Sequence, residues 1–198
     1  MSSGPPPLPS IPLYEARLTY FDKIFVYRIL GDQLQVEEEG RLQNLPLSDI
    51  TGIRCRFFPT RFQLDRYEII ITFSTGLNLK IGNQLFRGIA DFEDRSPAFR
   101  SFVIALHQAR MKVAPPCRFF AGITPLSFWL STLIISSIVI LLVALILIFP
   151  SSFSGVILVK LAIFIVMIPI AINWFRKNKP REYQGNAIPP DVLPSESH

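Results

Sequence analysis

The feature that most constrains this chain is an apolar block from Pro125 to Phe175, broken by a single charge, Lys160. Hydrophobic residues make up 49% of the 198-residue chain, and the excess is concentrated there, so residues 1–120 read as an ordinary charged globular sequence. The first part, Pro125 to Phe149, carries no charge. A helix of that length rises about 37 Å, against a hydrocarbon core of about 30 Å. The segment "PSSFS" that follows is short enough for a tight turn, and Gly155 to Phe175 forms a second apolar run. The pattern predicts a helical hairpin across a membrane, with both chain ends on one side.

Cations flank the block. Arg110, Lys112 and Arg118 precede it; Arg176, Lys177, Lys179 and Arg181 follow it; the loop 150–154 has none. Retention of Lys and Arg on the cytoplasmic side then predicts cytoplasmic termini. Arg118, Arg176, Lys177, Lys179 and Arg181 are expected at anionic headgroups, and Trp129 and Trp174 at the same interface. Lys160 lies within the second run. One reading has its stem reach back to the headgroups; the other is an intramembrane contact with an acidic partner or a lipid phosphate. The net charge of +5 is thus expected to serve topology rather than nucleic acid.

Upstream, the N-terminal "MSSGPPPLPSIP" reads as an extended Pro-rich tail with no signal-peptide pattern. "FVYRIL-GD-QLQVE" is two alternating runs around a glycine-first turn, and "YEIIITF-STG-LNLKI" is a second hairpin. In "GIRCRFF", Ile53, Cys55 and Phe57 share one face, while Arg54, Arg56 and Phe58 share the other. "LPLSDI" is expected as a loop entering that strand. In "DRSPAFRSFVIALHQARM", Ser96 is a candidate N-cap with Pro97 in the first turn. Phe99, Phe102, Val103 and Leu106 then form one apolar stripe. His107 is expected on the polar face, and Arg110 and Lys112 at the helix C-terminus, where positive charge complements the dipole.

Catalytic patterns are missing. No GxSxG, HExxH or phosphate-cradling glycine loop occurs. "EEEG" is a solvated acidic edge rather than a metal site. Cys55 and Cys117 have no metal-ligand spacing and are expected as free thiols. An enzyme, a metal and a cofactor are therefore not expected. One surface has the composition of an interface. In "RCRFFPTRFQLDR", Arg54, Arg56, Arg61 and Arg66 interleave with Phe58 and Phe62. Arginine with aromatics suits a protein partner or an anionic lipid. The alternative is a solvated loop whose arginines pair with Glu68 and Asp65.

The run of short strands, the "LPLSDITGI" entry and one closing amphipathic helix resemble the bacterial pleckstrin-homology-like domains that accompany pairs of transmembrane helices. The tail "NKPREYQGNAIPPDVLP" is similar to those proteins as well. The resemblance implies an α+β fold: a strongly bent antiparallel sheet capped by a C-terminal helix, followed by a transmembrane hairpin. The chain then divides into a Pro-rich tail 1–13, a PH-like domain 14–114 and a linker 115–124. A hairpin 125–175 (spans 125–149 and 155–175) and a basic, Pro-containing tail 176–198 complete it. The resemblance implies a multi-pass inner-membrane protein of bacteria, serving as a non-catalytic adaptor or accessory subunit. The expected partners are membrane lipids, a protein or membrane complex, and a second copy. The alternative function is an anionic-headgroup sensor acting through the Arg/Phe loop.

Overall fold

A computed structural model describes residues 13–17, 23–60, 65–88, 91–148, 165 and 168–195. Alternation and turn chemistry account for much of the local structure. β1 (Leu13–Ala16), β2 (Phe25–Leu30), β3 (Gln33–Glu38) and β4 (Arg41–Pro46) form an antiparallel meander in that order. Gly31 opens the β2–β3 turn at φ +59°, a conformation that glycine adopts without a Cβ clash. Register follows directly, with Ile29 opposite Leu34 and Tyr27 opposite Val36, all buried. "LPLSDI" does not form a loop throughout. Its start completes β4, and Leu47–Asp49 is one turn of 3-10 helix whose Leu47 is wholly buried.

A second sheet has the order β11-β10-β5-β6-β7. β5 (Ile50–Phe57) and β6 (Tyr67–Phe73) pair antiparallel, as do β6 and β7 (Asn78–Gly82). β10 (Arg118–Ala121) joins β5 in parallel, and β11 (Arg181–Tyr183) covers β10 in antiparallel sense. β8 (Gln84–Gly88) and β9 (Asp91–Asp94) make a separate hairpin.

Helix α1 (Ser96–Met111) closes the core. The Asp94 carboxylate accepts from the Ser96 N–H at 3.0 Å, so the capping acid sits two residues before the first helical residue. Phe99, Phe102, Val103 and Leu106 are all buried, and Tyr14 stacks on Phe102 with ring centroids 5.6 Å apart. Burial of side chains of this size contributes roughly 1.5–3 kcal/mol each.

The C-terminal segment belongs to the same core. Val192 and Leu193 are buried in the cluster that holds the α1 stripe, with Ile188 packed against it. Arg110 is buried too. Its guanidinium donates to the Ile50 carbonyl (3.1 and 2.9 Å), to Val113 O and to Pro115 O (each 2.6 Å). It ties the end of α1 to the start of β5 instead of facing solvent beyond the helix terminus.

Two expectations are corrected here. The fold is not a single bent antiparallel sheet capped by a C-terminal helix. Among the described residues three sheets form, one of mixed sense, and the chain returns after α1 to add β10 to β5 and then β11 to β10. The transmembrane hairpin is not supported either. Among the described residues no helix is long and apolar enough to cross a membrane. α2 spans Pro125–Ile148, but the side chains of Leu142 and of 145–148 lie outside the described set. The multi-pass inner-membrane placement falls with the hairpin. The loop 150–154, Lys160 and most of the second apolar run lie outside the described residues. α2 leaves Leu126 81% and Trp129 69% exposed.

Candidate anion-binding cleft

The outer face of the five-stranded sheet, opposite the core, carries the polar half of the β5 alternation. Register turns that alternation into rows across the sheet. Phe120 lies opposite Arg54, Arg54 opposite Ile70, and Ile70 opposite Lys80. In the next row Arg56 faces Glu68. Two cations, Arg54 and Lys80, therefore stand in one row on β5 and β7. Two strand spacings, about 10 Å, separate their backbones.

Their surroundings differ from those of the neighbouring Arg56. Glu68, 3% exposed, accepts from Arg56 Nε at 3.0 Å and Nη2 at 2.6 Å, a close cross-strand ion pair. Arg54 has no carboxylate partner among the described residues. Its Nη1 donates to Gly122 O and Ile123 O at 3.4 and 3.3 Å, long for such bonds, and its guanidinium lies 4.8 Å from the Phe120 ring centre. Burial, and then the Arg56 charge, hold the Arg54 guanidinium below its ordinary pKa. Lys80 is exposed and makes no ion pair among the described residues.

A cleft of about 850 Å³ lies over this face. The sheet supplies Arg54, Arg56 and Lys80, with Ile70, Thr72 and Asn78 beside them. Thr124, Ser127 and Ser131 come from the α2 entry, and Trp174 and Asn178 from 168–178. Among the described residues no acid lines it. Thr124 begins α2, accepting the Ser127 N–H on Oγ1 and donating to Ser127 Oγ at 2.8 Å. Trp174 stacks nearly parallel on Phe128 at 6.3 Å, which joins the two helical stretches at the cleft.

Gly122 makes this junction possible. It has φ +76°, and a Cβ there would lie 2.5 Å from Lys179 O and 2.6 Å from Asn178 O. Only glycine lets the 178–179 backbone approach so closely. Asn178 is 0% exposed; its Nδ2 donates to Trp174 O at 3.2 Å, while its Oδ1 has no hydrogen bond among the described residues.

A second cleft, about 840 Å³, has mixed lining: Asp65, Asp94 and Asp191 with Arg100 and Lys177. Arg100 there donates to Pro194 O at 3.2 Å. Its acids make it the poorer anion site.

The other sequence-derived residues are placed as follows. Phe58 is exposed, with the Arg56 guanidinium 4.4 Å and the Arg66 guanidinium 5.7 Å from its ring centre. Arg61 and Phe62 lie outside the described residues. The cations expected at headgroups are largely engaged within the fold. Arg118 pairs with Glu182 at 3.1 Å, Arg181 with Asp191, and Lys177 donates to Tyr67 Oη at 3.1 Å while lying 4.1 Å from the Phe57 ring centre. Arg176 and Lys179 are exposed.

His107 is not on a polar face. It is 1% exposed, its Nδ1 lies 2.8 Å from Val103 O and its Nε2 2.8 Å from Tyr183 Oη. The carbonyl only accepts, so Nδ1 carries the proton and the Tyr183 hydroxyl donates to Nε2. Tyr183 Oη is also 3.3 Å from Cys55 Sγ. With the phenol proton given to His107, the thiol becomes the donor of that contact. Burial pushes the Cys55 thiol up to about 12 and the His107 imidazole down to about 4. The trio is a sealed core network, not an exposed nucleophile and base.

Lys80, Thr124, Trp174 and Asn178 were not recognised as site residues from sequence. The signal for Lys80 was present: the "STG" turn pairs Thr72 with Asn78, which sets Ile70 opposite Lys80. No sequence signal brings 124 and 178 to the sheet.

No protein-family model matches the chain, and neither a curated protein nor a solved structure matches it. The membership in a PH-like membrane family implied by the resemblance is therefore unsupported, because neither a family match nor the topology carries it.

Proposed function

We propose that this protein is a non-catalytic interaction module that binds an anionic group of its partner in the cleft over β5, β6 and β7. The observation that carries this reading is the sign of the lining. Arg54, Arg56 and Lys80 face the cleft, one is neutralised by Glu68, and no acid among the described residues lines it. Two cations without an acidic partner among the described residues stand on one sheet row, and strand pairing fixes the spacing of their backbones, so their fields add over the cleft and attract an anion. The groups with catalytic potential, Cys55, His107 and Tyr183, bond to one another on the core side of the sheet. That separation supports binding over chemistry.

The test is titration of the full chain with pyrophosphate, citrate and an acidic peptide at low salt, followed by calorimetry. The wild type binds at least one of them, more weakly as salt rises. The Arg54→Glu, Lys80→Glu double variant loses that binding. Silence towards all three probes, or equal binding by the variant, sinks the proposal.

A further inference from the structure

Deepening that reading, and resting on it, we propose that the cleft is a phosphate-ester site whose ligand also carries a hydroxyl or N–H next to the phosphate. Charge is the first reason. Arg54 and Lys80 are the two cleft cations without an acidic partner among the described residues. A phosphate monoester carries about −1.5 to −2 at neutral pH, which matches both cations. A single carboxylate leaves one of them uncompensated.

Donor geometry is the second reason. The two cations reach over Ile70 from strands on either side of it, and hydroxyls of Thr72, Thr124, Ser127 and Ser131 border the same space. Such donors, arriving from the sheet below and the helix entry beside it, suit a tetrahedral group with three terminal oxygens. A planar carboxylate is satisfied by one arginine fork.

Asn178 supplies the third and independent reason. It lines the cleft, is fully buried, and its Oδ1 accepts nothing among the described residues. An orphaned buried acceptor costs about 1–3 kcal/mol. A bare phosphate dianion offers it no proton, whereas a hydroxyl or N–H on the organic part does. The cleft volume of about 850 Å³ exceeds what inorganic phosphate fills, and Trp174, Ile123 and Phe58 give the organic part an apolar wall. The chemistry is shared by soluble phosphorylated polyols and by phosphate-bearing lipid headgroups.

The experiment follows Trp174 fluorescence in the full chain carrying Trp129→Phe, with calorimetry in parallel. The probes are glycerol 3-phosphate, propyl phosphate, glycerate, and phosphatidylcholine vesicles with and without phosphatidylinositol 4-phosphate. Glycerol 3-phosphate is expected to bind at least tenfold more tightly than glycerate, and more tightly than propyl phosphate, which lacks the hydroxyls. Lys80→Met and Arg54→Met each weaken it at least tenfold. Binding only to vesicles that contain phosphatidylinositol 4-phosphate, a monoester with neighbouring hydroxyls, supports the site and assigns its source to a lipid headgroup. Glycerate equal to glycerol 3-phosphate overturns the phosphate assignment while leaving the anion-binding module standing. Propyl phosphate equal to glycerol 3-phosphate overturns the Asn178 contact. If no probe binds here and the three anions above also fail, both proposals fall together.

Discussion

Acid is expected to destabilise this protein through His107, by an amount that the structure allows to be worked out. The imidazole is 1% exposed and neutral, donating to Val103 O and accepting from Tyr183, with the Phe119 ring stacked 4.9 Å away. Burial lowers its pKa to about 4, against about 6.5 in an unfolded chain. The folded state therefore binds fewer protons between these values. Stability is fully present above about pH 6.5, falls as the unfolded chain takes up its proton, and levels off below about pH 4. At about 1.4 kcal/mol per pKa unit the whole loss is about 3 kcal/mol, of which about 2.5 kcal/mol has gone by pH 4.5.

Carboxylates titrate in the same window, so the measurement is a difference. Urea unfolding of the wild type and of His107→Gln is followed from pH 7.5 to 4.5. The variant is less stable at pH 7.5, having lost the ring packing. The gap should close by about 2.5 kcal/mol at pH 4.5, because the variant has no imidazole to protonate. Two curves that stay parallel across the range would refute the burial argument. A gap that widens on acidification would reverse its sign.

Two further outcomes follow from the packing. Gly122→Ala combines a positive φ with a Cβ driven into two backbone carbonyls. It should cost roughly 3 kcal/mol or more and, in limited proteolysis, expose the chain around 178–181 before the β2–β3 hairpin is cut. Arg110→Met strips the donors from Ile50 O, Val113 O and Pro115 O, and should lower the unfolding free energy in urea by about 3 kcal/mol. Arg110→Lys should recover part of that loss, and full stability in the methionine variant would show that the carbonyls find other partners.

Legibility from sequence followed the distance over which each feature is specified. The β2–β3 and β6–β7 hairpins join strands through two- and three-residue turns, so alternation and turn residues suffice to set their register. The α1 stripe is equally local: Phe99, Phe102, Val103 and Leu106 recur at helical spacing. Arg54 and Arg56 could be placed on one strand face for the same reason. His107 does not lie on the polar face that its position in line suggests, because what buries it includes Tyr183, 76 residues away. The basic tail also misled. Arg118, Lys177 and Arg181 resemble a topogenic cluster when read in line, yet each finds a partner in the folded chain, in Glu182, Tyr67 and Asp191.

By itself the sequence determined the short-range elements and their faces, since side-chain period and turn preference act within a few residues of chain. The three-dimensional packing alone decided that 118–121 lies parallel to β5, that the C-terminal strand covers it, and that Gly122 admits the 178–179 backbone. Those contacts join segments some sixty residues apart, and no local propensity encodes them. The cleft exists only because of them. Its cations come from one readable sheet face, but the wall that turns that face into a site is supplied by chain that arrives from far away.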